Sequence, residues 1–310
     1  MEYVTLGRTG LKASVMGLGC GGPSRLGKNT GHRDADAVNI VRRALDLGVT
    51  FFDTAESYRT EQIVGKAIKG RDRDGIVLST KKSVWGKMTA KQVRRSLEKS
   101  LKHLETSHVD VYSLHAVSTS NYERLVKETV PVLKALQQEG KIHCIGITES
   151  FGNDPGHAML QRALDDDCWD VMMVGFNMLN PSARDRVFKR AIEKRVGIIV
   201  MHAVRRALSN PARLRANMQM LMKNGQVPLS ALDIDNPFGF LVHEKGATSI
   251  IDAAYRFCRH EPGVGVVLSG TGDASHLASN IESFSRPPLP AGDLERVACL
   301  FGKVDSVSGD

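Results

Sequence analysis

Val49-Thr50-Phe51-Phe52-Asp53, Ile76-Val77-Leu78-Ser79-Thr80-Lys81 and Val109-Asp110-Val111-Tyr112-Ser113-Leu114-His115 are three β-rich runs, each ending on an ionisable residue. Between them, residues 61–68 and 90–104 carry apolar side chains at helical spacing. Such alternation with short connections predicts parallel strands covered by helices. Outward from this stretch the rhythm continues. Strands are predicted at 15–19, 50–53, 76–80, 109–114, 142–148, 170–174, 197–201 and 263–268, and helices at 34–47, 61–68, 90–104, 122–138, 155–165, 182–194, 247–258 and 275–283. Thr89 can cap the third helix and Gly140 can stop the fourth. Eight units favour a closed (β/α)8 TIM barrel over an open doubly wound sheet. Two short strands around Arg8-Thr9-Gly10 precede it as an N-terminal β-hairpin, residues 205–245 form an insertion after strand 7, and 292–304 form a C-terminal helix. With no linker and no repeat in view, residues 1–310 are expected to form a single barrel domain.

Composition narrows the class. Apolar residues make up 42% and charged residues 25%, as in ordinary globular proteins and unlike disordered or fibrous ones. The formal charge is +8, but Lys and Arg are scattered over helical segments, which reads as solvated surface and not as a nucleic-acid patch. The five cysteines are odd in number and form no C-x-x-C pair, so reduced thiols and no metal site are expected. The opening residues hold no basic segment followed by an apolar run, and a cytoplasmic protein without a membrane partner is expected.

In a barrel of this kind the active site lies at the C-terminal ends of the strands. Asp53, Lys81 and His115 all fall there, and Tyr58 lies in the loop after the second strand. Singly, each is most simply a loop or surface side chain. Together they form a set suited to carbonyl chemistry. Tyr58 can give a proton to an oxygen, Lys81 can favour its phenolate, Asp53 can balance a buried Lys81, and His115 can orient the substrate oxygen.

Val49–Tyr58 as a run, Leu97-Glu98-Lys99-Ser100-Leu101-Lys102-His103-Leu104, 109–115, Gly140-Lys141-Ile142-His143-Cys144-Ile145-Gly146-Ile147 and Leu6-Gly7-Arg8-Thr9-Gly10-Leu11 resemble the aldo-keto reductase family. The resemblance spans residues 3–285. It implies a catalytic tetrad of Asp53, Tyr58, Lys81 and His115, and an extended NADP(H) across the barrel mouth, with NAD(H) as the alternative. No G-x-G-x-x-G opens a helix after the first strand, consistent with binding outside a Rossmann domain.

The cofactor positions that the resemblance implies depart from the family's usual residues. Thr148-Glu149 stands where a Ser-Asn pair holds the carboxamide, Met173 where a Gln helps, and Met201, beside His202, where an aromatic ring stacks. Both methionines read equally well as core. At the adenosine end the matching residues are Ser269, Gly270, Thr271, His276 and Asn280, with Gly270 and His276 in place of strong cations. Arg205 and Arg206 could reach the pyrophosphate or the 2′-phosphate. Trp85 is a candidate substrate wall.

The expected protein is therefore an NAD(P)H-dependent reductase acting on a small carbonyl or alcohol (an aldehyde, ketone or sugar), as a monomer or small homo-oligomer. The alternative is a cofactor-binding regulatory subunit of the same family that docks on a membrane channel and turns over little.

Overall fold

The computed structural model describes residues 1–84, 86–228 and 233–310. Eight parallel strands close into a barrel: β3 (Met16–Gly19), β4 (Phe51–Asp53), β5 (Val77–Ser83), β6 (Val109–Val117), β7 (Ile142–Glu149), β8 (Val171–Gly175), β9 (Gly197–Met201) and β10 (Val266–Ser269). Closure is made by β10, which pairs with β3 on one side and β9 on the other. The antiparallel hairpin of β1 (Tyr3–Thr5) and β2 (Lys12–Ser14) precedes the barrel. Around it lie α1 (Asp34–Asp46), α2 (Glu61–Ile68), α3 (Ala90–Leu104), α4 (Thr119–Glu128), α5 (Val130–Gln138), α6 (Ala158–Ala163) and α7 (Lys189–Glu193). Then come α8 (Arg205–Ser209), α9 (Pro211–Lys223), α10 (Ile250–Arg259), α11 (Ala274–Ser285) and α12 (Ala291–Phe301). Among the described residues, no helix is long and apolar enough to cross a membrane.

The strands divide their side chains between two cores. Phe51, Val77, Val111, Cys144, Val171, Ile199 and Val266 fill the barrel interior. Their next neighbours, Phe52, Leu78, Tyr112, Ile145, Met172, Val200 and Val267, pack outward under the helices. This is the period of two of a pleated strand, with both faces buried. Followed toward the strand ends, it aims Asp53, Lys81, His115, Thr148 and Met201 inward, and Lys82, Glu149 and Ser269 outward.

The hairpin plugs the N-terminal end, where Leu6 and Ala13 join the interior cluster. Arg8 N donates to Arg195 O at 2.7 Å and ties it in place.

Several expected elements differ in detail. The helix predicted over 122–138 is two helices meeting at Thr129. Pro131, in the first turn of α5, has no N–H to donate, and its ring would clash with the carbonyl four residues back. The helix predicted over 155–165 is only Ala158–Ala163. Asp154, just before it, accepts from the backbone N–H groups of Ala158 and Met159. The insertion carries α8 as well as the expected helix. The Thr89 cap is present, with Gln92 N donating to its hydroxyl at 3.2 Å, and Gly140 follows α5 at φ +71°.

Gly7 tests the plug. It sits at φ +55°, and a Cβ there would lie 2.3 Å from Gly197 N. We expect Gly7→Ala to cost at least about 2 kcal/mol, because left-handed strain and a backbone clash combine. Urea denaturation measures it. An unchanged midpoint would mean that the hairpin does not seat against β9.

Candidate active site

Asp53 ends β4 and Lys81 lies on the neighbouring β5, in the ladder where Asp53 faces Ser79. Both side chains are inside the barrel mouth, Lys81 fully buried. Lys81 Nζ donates to both Asp53 oxygens at 2.6 Å and to the Thr54 carbonyl at 2.8 Å. Ser79 Oγ donates to Asp53 Oδ1 at 2.9 Å. All three ammonium donors are thus spent, as a buried charge requires. Lys82 faces outward and donates to Glu56 Oε1 at 2.7 Å.

Tyr58 closes the tight 3-10 turn Glu56–Tyr58, which the next residue, Arg59, leaves at φ +59°. Its ring lies over Lys81, with Nζ 5.1 Å from the ring centroid. The phenol oxygen is 3.2 Å from His115 Nε2, and the two rings meet edge to face. Gly21 abuts the other side: a Cβ there would fall 2.3 Å from the Tyr58 ring. The four residues expected from the sequence therefore form one connected group, and parity explains why Lys81 and not Lys82 belongs to it.

The electrostatics differ from the simple expectation at one point. Burial pushes the Tyr58 phenol above its usual value, while Lys81 and then Arg205 pull it down; burial prevails. The phenol consequently stays protonated and is a proton donor at neutral pH. Burial, and then Lys81, push His115 down to about 3, so its imidazole is neutral. Burial alone would lower the Lys81 ammonium, but Asp53 and Tyr58 raise it.

A cavity of about 850 Å³ opens beside this group and runs past the ends of β3, β9 and β10 to α10 and α11. Met173, Met201 and His202 line it near Tyr58, Arg205 and Arg206 line its side, and Gly270, Thr271, His276 and Asn280 line its far part. The residues fit an extended dinucleotide. Gly21 and Gly22 carry no side chain at the strand end, the methionines give an apolar wall, and the guanidiniums of Arg205 and Arg206 line the cavity. His202 Nδ1 is buried without a partner on this wall.

Three expected contacts are placed elsewhere. Glu149 points outward by parity, where its carboxylate accepts from Gly175 N at 2.7 Å and lies 2.9 Å from His157 Nδ1. Ser269 also points outward, its hydroxyl bonded to Tyr255 and to Asn280 Nδ2, each at 2.9 Å. Thr148 points inward, but its Oγ1 accepts from Ala116 N at 2.7 Å. None of the three is among the residues lining the cavity. The expectation for Trp85 lies outside the described residues.

Other cavity residues escaped the sequence reading. Gly21-Gly22 directly follows the first barrel strand, a position that could have marked it as part of the mouth. Arg286 and Asp252 carry no local signal, because only the packing of α10 against α11 brings them to the cavity. The His157 partner of Glu149 was likewise invisible.

Comparison with known proteins gives a consistent picture. A profile described as the aldo/keto reductase family matches residues 16–300. An L-galactose dehydrogenase of Arabidopsis thaliana is 37% identical over 157 residues, 48% of this chain and 48% of that protein. The chain thus aligns with about half the length of that relative. The oxidoreductase YqkF of Bacillus subtilis (strain 168) is 24% identical over 296 residues, 91% of each chain. Among solved structures, the holo form of an aldo-keto reductase from Bacillus halodurans superposes with a TM-score of 0.75 at 22% identity, covering 98% of this chain and 97% of that one.

The buried pair makes a stability prediction. Asp53→Ala leaves a buried ammonium without its counter-ion and should cost about 3–5 kcal/mol. The double variant Asp53→Leu/Lys81→Met should recover most of that loss in urea denaturation. A double variant no more stable than the single one would assign the loss to packing and not to the stranded charge.

Proposed function

The chain belongs to the aldo/keto reductase family, and on that premise we propose that it transfers a hydride between NAD(P)H and a carbonyl or alcohol substrate. One observation carries the proposal: Tyr58 Oη stands 3.2 Å from His115 Nε2, above the buried Lys81–Asp53 pair, at the wall of a cavity of about 850 Å³. The nicotinamide supplies the hydride to the carbonyl carbon and is itself oxidised. Everything else falls to the chain.

His115 Nε2 and Tyr58 Oη converge on one point, where both can donate to a carbonyl oxygen. As the C=O π bond opens, the Tyr58 proton passes to that oxygen and leaves a phenolate. The Lys81 ammonium stabilises the phenolate, since it is held near the ring by Asp53 and the Thr54 carbonyl. Water returns the proton to Tyr58 after the alcohol leaves. In oxidation the same groups act in reverse. Arg205 and Arg206, on the cavity side, suit the pyrophosphate that NAD(H) and NADP(H) share.

Tyr58→Phe tests the acid. Turnover on a reducible aldehyde should fall at least about a hundredfold, the low end for a lost general acid. The dissociation constant for the reduced cofactor, followed by its fluorescence, should stay within about twofold, because the phenol acts in the chemical step. Wild-type turnover in the variant would remove Tyr58 from the mechanism.

The pH profile tests His115. With its pKa down at about 3, the imidazole does not titrate between pH 5 and 8, and kcat/KM for reduction should be flat there. A limb near pH 6.5 that vanishes in His115→Gln would show a charging imidazole and overturn its assignment as a neutral donor.

A further inference from the structure

We propose that Thr148 is a positioning residue for His115: its hydroxyl holds the bulge of β6 that aims the His115 ring at Tyr58. This rests on the reduction proposed above, in which His115 orients the substrate oxygen. It gives Thr148 a different task from the carboxamide contact expected from the sequence.

Strand β6 carries one residue more than β7 at this point. Leu114 pairs with Ile147 and Val117 with Glu149, so His115 and Ala116 together oppose the single residue Thr148. Such a bulge leaves one residue outside the ladder, bends its strand and re-aims a side chain. On the other side His115 still pairs with Ser83 of β5, so the departure is toward β7 alone. Within the bulge Ala116 sits at φ +54°. That is the left-handed region, which an alanine keeps only where its surroundings hold it there. A bond from Ala116 N to Thr148 Oγ1, at 2.7 Å, replaces the missing rung of the ladder.

Thr148 suits this task. It is buried, and its backbone is fixed by pairing with Met173 of β8. Its β-branched side chain has few rotamers, so the oxygen is held in one place. That oxygen is turned to the bulge, and Thr148 is not among the residues lining the cavity. His115 needs such support. Among the described residues, Tyr58 is the one hydrogen-bond partner of its ring. In the proposed reaction Tyr58 is also the group that gives up its proton. A bond that changes during turnover cannot by itself aim the ring, so the aim depends on packing and on the backbone next to Ala116.

Two variants of the whole chain test this. Thr148→Val keeps the shape of the side chain and removes the acceptor, whereas Thr148→Ser keeps the acceptor. In protein deuterated except at His and Tyr, magnetic cross-relaxation between the His115 and Tyr58 rings reports their edge-to-face contact, 5.4 Å between centroids. The signal should be lost in Thr148→Val and kept in Thr148→Ser. An undiminished signal in Thr148→Val, or a signal lost in both variants, overturns the proposal. Reduction of benzaldehyde gives a second readout. Thr148→Val should lower kcat by about tenfold to a hundredfold, the scale for a slightly misplaced orienting group. The dissociation constant of the reduced cofactor should stay within about twofold, because only the chemical step is touched. In a His115→Gln background the same substitution should change kcat by less than about twofold, since the ring it acts through is already gone. Weakened cofactor binding, or the full loss of kcat in that background, would mean that Thr148 meets the ligand directly, and overturns the proposal. A folded wild type that binds no dinucleotide overturns the proposed function instead. The cross-relaxation measurement needs neither cofactor nor substrate, so it still decides the role of Thr148.

Discussion

The Lys81–Asp53 ion pair governs the chemistry of this barrel mouth. Lys81 is carried inward by the alternation of β5, into a space where an unpaired ammonium would be prohibitive. Asp53 can answer it only because β4 and β5 are neighbours in a closed barrel, in a register that sets Asp53 opposite Ser79, two residues before Lys81 on the same inward face. Ser79 and Thr54 complete the set of partners, so both buried charges are hydrogen-bonded within the protein. Such a pair adds little net stability over an apolar substitute, because desolvation offsets its Coulomb energy. What it contributes is a fixed positive charge beneath the Tyr58 ring.

The rest of the site follows from that charge and from burial. Burial keeps the Tyr58 proton on and the His115 proton off, so the two side chains approach one another as neutral groups. In the proposed reaction Lys81 matters when the phenol gives up its proton, for only then does a negative charge appear beside it. Preorganisation of this kind costs no rearrangement at the moment of reaction.

Alternation along the strands also accounts for residues whose sequence positions misled. Glu149 and Thr148 are adjacent, yet one faces the helices and the other the barrel, so in this chain the two side chains do not share a cavity. Glu149 instead meets His157, whose ring stacks on Phe151; Phe151 in turn lies edge-on to His202 at the cavity wall. The outward carboxylate is thereby connected to the cavity through packing. Phe151 also closes over Gly175, where a Cβ would fall 2.1 Å from the ring.

The strand–helix rhythm, the hairpin, the grouping of four polar residues at the barrel mouth and the likeness to a reductase family were all legible in the sequence. Each depends on local pattern: apolar period, capping residues, and ionisable residues at strand ends. Most element boundaries were close for the same reason, and Pro131 split a helix by a rule that could have been applied to the sequence. Tertiary structure alone decided which hydrogen-bonding groups were still free. Thr148 accepts from Ala116, Ser269 is bonded to Tyr255 and Asn280, Glu149 meets His157, and Arg286 reaches Thr248, Asp252 and Glu282. A sequence gives each residue's donors and acceptors, but most of these partners lie on other segments of the chain. Which groups remain for a ligand is therefore settled only when the barrel closes and the helices pack.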